Sequence, residues 1–167
     1  MLTEKFFARP TLRVARELLG KYLVRRIGAK TIARQITEVE AYIGFRDLAS
    51  HASRGRTKRN EIMFGKAGRW YVYFTYGMHW MLNIVTERKG YPAAILIRGV
   101  EGISDPGLVT KFLRVGKRFN GNLASRASGL WIEDRGVRIR PTKIKRAKRV
   151  GVDYAGVSRH KLWRFYL

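Results

Sequence analysis

A chain of 167 residues with 35 Lys and Arg against 12 Asp and Glu carries a formal charge of +23, and so large an excess calls for a polyanionic partner, nucleic acid above all. Its 46% hydrophobic and 12% aromatic content excludes a disordered basic tail. No apolar run approaches the length of a bilayer crossing, and the absence of cysteine removes disulfides, thiolate catalysis and cysteine-based zinc sites.

The opening MLTEKFFARPTLRVARELLG carries charges throughout instead of the basic, apolar, small-residue order of a signal peptide, so a soluble intracellular protein is expected, with no membrane partner. From Pro10 to Leu19 the apolar positions Leu12, Ala15, Leu18 and Leu19 follow a helical period, with Gly20 suited to the stop. KYLVRRIG and TIARQITEVEAYIG then predict an antiparallel hairpin over residues 21–43. In its second strand Thr37, Val39, Ala41 and Ile43 share a face suited to packing, while Glu38, Glu40 and Tyr42 share the other.

Residues 46–60, RDLASHASRGRTKRN, read as a basic surface loop. WYVYFTYGMHWMLNIV, 70–85, is the strongest hairpin signal, turning at Tyr76, Gly77, Met78 and His79, with Tyr71 and Phe74 read as core. YPAAILIRGVEG adds an apolar strand ending at Arg98, residues 106–126 are partly helical, and residues 134–167 alternate short β-like runs with basic loops. These elements predict one α+β domain over residues 1–167, built mainly on an antiparallel sheet with a protruding hairpin and flanking helices.

Two glutamates one residue apart in an apolar run of so basic a chain have an ordinary explanation as partners of Arg or Lys. The alternative is chemical. A carboxylate on a surface that meets phosphate is repelled unless it does work there, and a Glu beside an aromatic such as Tyr42 gains basicity by desolvation and can activate water. Strand geometry does not choose between Glu38 and Glu40. At the hairpin tip, Tyr76 and Met78 place large apolar groups where burial within the domain is hard to arrange, and an apolar wedge on a basic protein can pry stacked bases apart. Enzymes that act on a base need such a wedge, an aromatic pocket and a water-activating group together. The three histidines, His51, His79 and His160, have no metal-binding spacing, and no metal or other cofactor is expected.

TEVEAYIG, His51 in the following loop, RNEIMFGKAGRWYVYFTYGMHWMLNIV and ILIRGVE occur in an order and spacing that resemble the alkyladenine, or 3-methyladenine, DNA glycosylases. The similarity is strong from FFARPTLRVARELLGKYLVRR to about residue 101 and traceable to the final RFY. What it implies is a base-excision-repair enzyme acting as a monomer on double-stranded DNA that contains alkylated or deaminated purines. Glu40 would be the general base on water, Arg98 would place the nucleotide and that water, and Tyr42, His51 and Tyr73 would hold the flipped base. Asn83 would crowd a guanine 2-amino group, and Tyr76, with Met78, would fill the gap in the duplex. Arg54, Arg56, Lys58 and Arg59 would meet phosphate, because the resemblance places their loop beside the pocket. No lysine in the matched motifs is placed as a Schiff-base nucleophile, so a monofunctional hydrolase leaving an abasic site is implied, as opposed to a non-catalytic nucleic-acid binder, for which Glu40 has no use.

Three stretches depart from the family pattern: NGNLASRASGL at 120–130, Lys148 where a Pro is usual, and the ending at RFYL. The basic run at 138–149 is either a solvated face or a phosphate track.

Overall fold

The computed structural model describes residues 1–167. Two short helices open it, α1 over Glu4–Phe7 and α2 over Thr11–Leu18. Pro10 stands at the cap immediately before α2, which buries Val14, Ala15 and Leu18 against the sheet. Gly20 ends the turn with φ +86°, and a Cβ there would meet Ile139 at 2.8 Å, so both conformation and space call for glycine.

β1 (Tyr22–Ile27) and β2 (Lys30–Ile43) form the expected hairpin. β3 (Trp70–Thr75) and β4 (His79–Val85) form the second hairpin, and β5 (Ala93–Val100) runs two residues beyond the expected end at Arg98. With β6 (Leu130–Glu133) the sheet order is β3-β4-β5-β2-β1-β6, and every neighbouring pair is antiparallel. β7 (Lys145–Ala147) pairs with β8 (Arg164–Tyr166), and β8 adds to β2 beyond the stretch that pairs with β1. The helix α3 (Pro106–Phe112) packs on β4 and β5, its start capped by the Asp105 carboxylate, which accepts the Leu108 N–H at 2.8 Å. The architecture is α+β, with the core between the sheet and the helices: Trp70, Phe7, Phe165, Leu18, Ile84, Ile95 and Ile97 are all 0–1% exposed.

β2 is the spine of this arrangement, because its first half pairs with β1 and its second half lies between β5 and β8. Its alternation is broken once. Ile36 opposes Val100 and Glu38 opposes Gly99, so Thr37 is an extra residue on β2. Val39 then opposes Ile97, leaving Arg98 as the extra residue on β5. Such irregularities re-aim side chains. The first brings Ile36 into the core in place of Thr37, which the period-2 pattern had put on the packing face, while Val39 and Ala41 bury as expected. The second directs Arg98 toward Glu38 and Glu40.

Three further expectations need correction. Residues 46–60 are not simply a surface loop. Asp47, Ala49, Ser50, Ala52 and Asn60 are buried: Asp47 pairs with Arg149, Ala49 packs with Val152 and Ala155, and Asn60 gives its side-chain N–H groups to the His51 and Gly55 carbonyls. The basic run at 138–149 is exposed at most of its cations, but Arg149 is buried, paired with Asp47. Tyr71 is buried as expected, whereas Phe74 is 44% exposed on the hairpin stem, tilted against Trp80 at 4.8 Å.

Candidate active site

A cleft of about 300 Å³ opens where β2, β4 and β5 face the β3–β4 turn, and its lining includes Glu40, Tyr42, His51, Tyr73, Tyr76, Asn83 and Arg98. Seven residues placed by separate segments of the chain thus meet at one depression. Met78 and the four loop cations Arg54, Arg56, Lys58 and Arg59 lie outside its lining.

Glu40 has no exposed side-chain surface. Its Oε1 accepts the Val150 backbone N–H at 2.8 Å and its Oε2 accepts the Tyr42 hydroxyl at 2.8 Å. Burial raises its pKa above the ordinary carboxylate range, and the Val150 N–H, the Arg98 charge, the Tyr42 hydroxyl and the Arg149 charge hold it partly back. A carboxylate so placed is a stronger base than a solvated one. Glu38, by contrast, sits among cations: its Oε1 is 3.1 Å from Arg164 and 3.1 Å from Arg98. Arg98 Nε is 3.7 Å from Glu40 Oε1, and its buried N–H makes no hydrogen bond to either glutamate. The two acids are therefore inequivalent. One neutralises arginines; the other stands in the cleft, bonded by a backbone amide and a tyrosine hydroxyl.

The aromatic walls have their own order. His51 begins a short 3-10 helix capped by the Ser50 side chain, and its Nδ1 lies 2.7 Å from the Tyr71 hydroxyl while its ring meets that of Tyr73 edge-on at 4.6 Å. Burial, reinforced by the Arg59 charge, lowers the His51 pKa to about 4, so the ring is neutral at physiological pH. Burial likewise raises the Tyr42, Tyr71 and Tyr73 hydroxyls, keeping all three protonated. The Arg149 guanidinium lies over the Tyr42 ring at 4.7 Å, and Arg59 lies over Tyr73 at 5.2 Å. Asn83 is 3% exposed and gives its side-chain N–H to the Tyr71 carbonyl at 3.1 Å, which fixes its amide in the cleft wall.

At the hairpin tip the Met78 N–H bonds back to the Thr75 carbonyl at 3.1 Å, with Tyr76 at φ +51° and Gly77 at φ +65°. Left-handed conformation is common for glycine and unusual for tyrosine. Tyr76 is 80% exposed and Met78 68%. Of the loop cations, Arg56 is engaged by Glu61 at 2.6 Å, Arg59 bonds the Phe74 carbonyl at 3.2 Å, and Arg54 and Lys58 are exposed.

Sequence reasoning does not reach several residues in and around the cleft. Tyr71 stands two residues before Tyr73 on one strand face, so the alternation already contained it, although an aromatic there is more simply read as core. The Val150 amide and the Asp47–Arg149 pair had no comparable signal, since a backbone donor is independent of residue type and the two charges lie 102 positions apart.

The family model described as methylpurine-DNA glycosylase matches residues 5–105 and 101–167 of the chain. Among curated relatives, a protein of Methanocella arvoryzae is 44% identical over 99% of this chain and 92% of its own length. One of Legionella pneumophila strain Corby is 42% identical over 99% and 93%, and one of Clostridium perfringens 37% over 99% and 95%. Each carries the name "Putative 3-methyladenine DNA glycosylase". The chain belongs to the methylpurine-DNA glycosylase family.

Proposed function

We propose that this member of the methylpurine-DNA glycosylase family takes a damaged purine nucleotide out of duplex DNA into the cleft and hydrolyses its N-glycosidic bond with water activated by Glu40. The observation that carries this reading is the Glu40 carboxylate itself, without exposed surface yet lining a cleft walled by Tyr42, Tyr73 and His51. The proton of the attacking water goes to Glu40 and its oxygen bonds to C1′. The bond from C1′ to the purine breaks with its electron pair leaving on the base, so the product is an abasic sugar with a hydroxyl at C1′. Arg98, ion-paired with Glu38 and 3.7 Å from Glu40, holds the nucleotide and the water.

Substrates are purines alkylated at a ring nitrogen, of the 3-methyladenine and 7-methylguanine kind, and deaminated purines such as hypoxanthine. The first are cationic, leave readily and interact well with tyrosine faces, and lesions that pair poorly cost less to extrude. Tyr42, His51 and Tyr73 hold the base, Asn83 disfavours unmodified guanine, and Tyr76 and Met78 occupy the vacated space in the duplex. Arg54, Arg56, Lys58 and Arg59 contact phosphate. The enzyme acts as a monomer and a single domain, without a lyase step.

The test is release of free base from duplexes carrying single lesions, across an alkylated and deaminated panel. Glu40→Gln is expected to bind lesion DNA and to lose about 10²–10⁴-fold in the chemical step. Equal excision by both proteins would remove Glu40 from the mechanism, and no release from any lesion would leave a DNA-binding protein without this activity.

A further inference from the structure

Outside the cleft lies a buried ion pair that the proposed chemistry does not use. Arg149 and Asp47 both have side chains with no exposed surface, and neither lines the cleft. The pair is bidentate: Arg149 donates from one terminal nitrogen to Asp47 Oδ2 at 2.6 Å and from the other to Oδ1 at 2.7 Å. The same guanidinium donates to the Ala41 carbonyl at 2.8 Å and the Ser158 carbonyl at 3.3 Å, and lies over the Tyr42 ring. Asp47 in turn accepts the Ile43 and Ala49 N–H groups at 3.2 and 3.3 Å. Three segments are thereby clasped together: the end of β2, the loop that leads to His51, and residues 149–158.

The residue after Arg149 is Val150, whose N–H is the donor on Glu40 Oε1. Anchoring the Arg149 guanidinium at four acceptor atoms tethers the backbone that carries the following amide, and the Ala41 carbonyl that receives Arg149 is the neighbour of Glu40 on β2. We propose that the Asp47–Arg149 pair is a positioning device for Glu40: it holds the Val150 amide against the carboxylate and so sets the orientation and basicity of the base without touching substrate. The inference rests on Glu40 being that base. A clasp that served stability alone could be anchored anywhere on residues 149–158; this one grips the position adjoining the Val150 donor.

The groups that face Glu40 are Arg98 from β5, Tyr42 from β2, Tyr73 from β3, and Arg149 with the Val150 amide from the C-terminal segment, while Arg164 from β8 is engaged with Glu38. Of these, the amide and the Arg149 charge both hold the Glu40 pKa down. Loosening the clasp weakens both, so Glu40 takes up its proton at a higher pH.

Removing one partner would leave an uncompensated buried charge, so the main variant is the double substitution Asp47→Asn with Arg149→Met, accompanied by Arg149→Lys and by Glu40→Gln as control. Each is assayed by single-turnover excision from lesion duplex as a function of pH, with lesion-duplex binding measured separately. The expected result is an acid limb moved to higher pH and a plateau rate about 10–100-fold lower, with binding changed far less, since small misplacement of a catalytic group has effects of that size. Arg149→Lys should recover part of the rate. If Glu40→Gln is inactive but the double variant keeps the wild-type acid limb and plateau, the positioning role is wrong and the base assignment stands. If Glu40→Gln is fully active, the base assignment falls and this inference with it. Should the double variant not fold, Arg149→Lys decides by the same limb, and an unmoved limb there overturns the proposal.

Discussion

Asp47→Ala is expected to cost far more stability than removal of an acid from any exposed ion pair of the same length. Asp47 with Arg149, Asp134 with Lys21, and Glu61 with Arg56 are among the pairs in the structure that close to 2.6 Å. Their side-chain exposures differ, at 0%/0% for the first pair, 47%/14% for the Asp134 and Lys21 side chains, and 56%/60% for Glu61 and Arg56. Breaking a buried pair by deleting one partner costs about 3–5 kcal/mol, because the remaining charge keeps its desolvation without its partner. The Ile43 and Ala49 N–H groups lose an acceptor as well, although at 3.2 and 3.3 Å these bonds are long and add about 1 kcal/mol between them. A loss of about 4–6 kcal/mol is a large part of the roughly 5–15 kcal/mol that holds a domain together. For a protein of this size it lowers Tm by about 10–20 °C. Asp134→Ala and Glu61→Ala should each cost below about 1 kcal/mol. The assay is urea unfolding and thermal melting of all three variants beside wild type. Asp47→Ala melting within a few degrees of Glu61→Ala would refute the premise that burial, rather than distance, sets the worth of these pairs.

Tyr76→Ala should leave stability within about 0.5 kcal/mol, since the side chain is 80% exposed, yet slow excision from fully paired duplex more than from single strands; equal slowing on both would count against a wedge. Excision should rise with pH through the Glu40 pKa, because the ionised form is the base, and burial places that acid limb above the ordinary glutamate value of 4.5. His51, at about 4 and already neutral above that, should add no inflection near its ordinary 6.5; one that disappears in His51→Gln would contradict its burial.

Local pattern carried most of the fold. Both hairpins follow from period-2 alternation bounded by turn residues, and α2 from its apolar spacing between Pro10 and Gly20. The misplacement of Thr37 has a specific cause: two compensating register shifts between β2 and β5 leave no mark on composition, because an extra residue in a strand looks like any other. Glu38 and Glu40 were likewise indistinguishable as strand residues. What separates them is what stands opposite, two arginines for one and a backbone amide with a tyrosine hydroxyl for the other. The loop at 46–60 misled for a related reason: its polar residues satisfy buried backbone groups, and polarity alone does not tell a buried hydrogen-bonding group from a solvated one.

β2 behaves as a reading frame. A strand is read two residues at a time, and in this one the same frame assigns Val39 and Ala41 to the core and Glu40 to the cleft. Substitutions within it change one letter. Loss of a single residue between Lys30 and Thr37 that neither the turn at Gly28 and Ala29 nor the extra residue at Thr37 absorbed would exchange the two faces, sending a carboxylate into the core and a valine to the cleft. Thr37 and Arg98 are the insertion and counter-insertion that keep the present frame in phase, so length in this strand is guarded more strictly than identity.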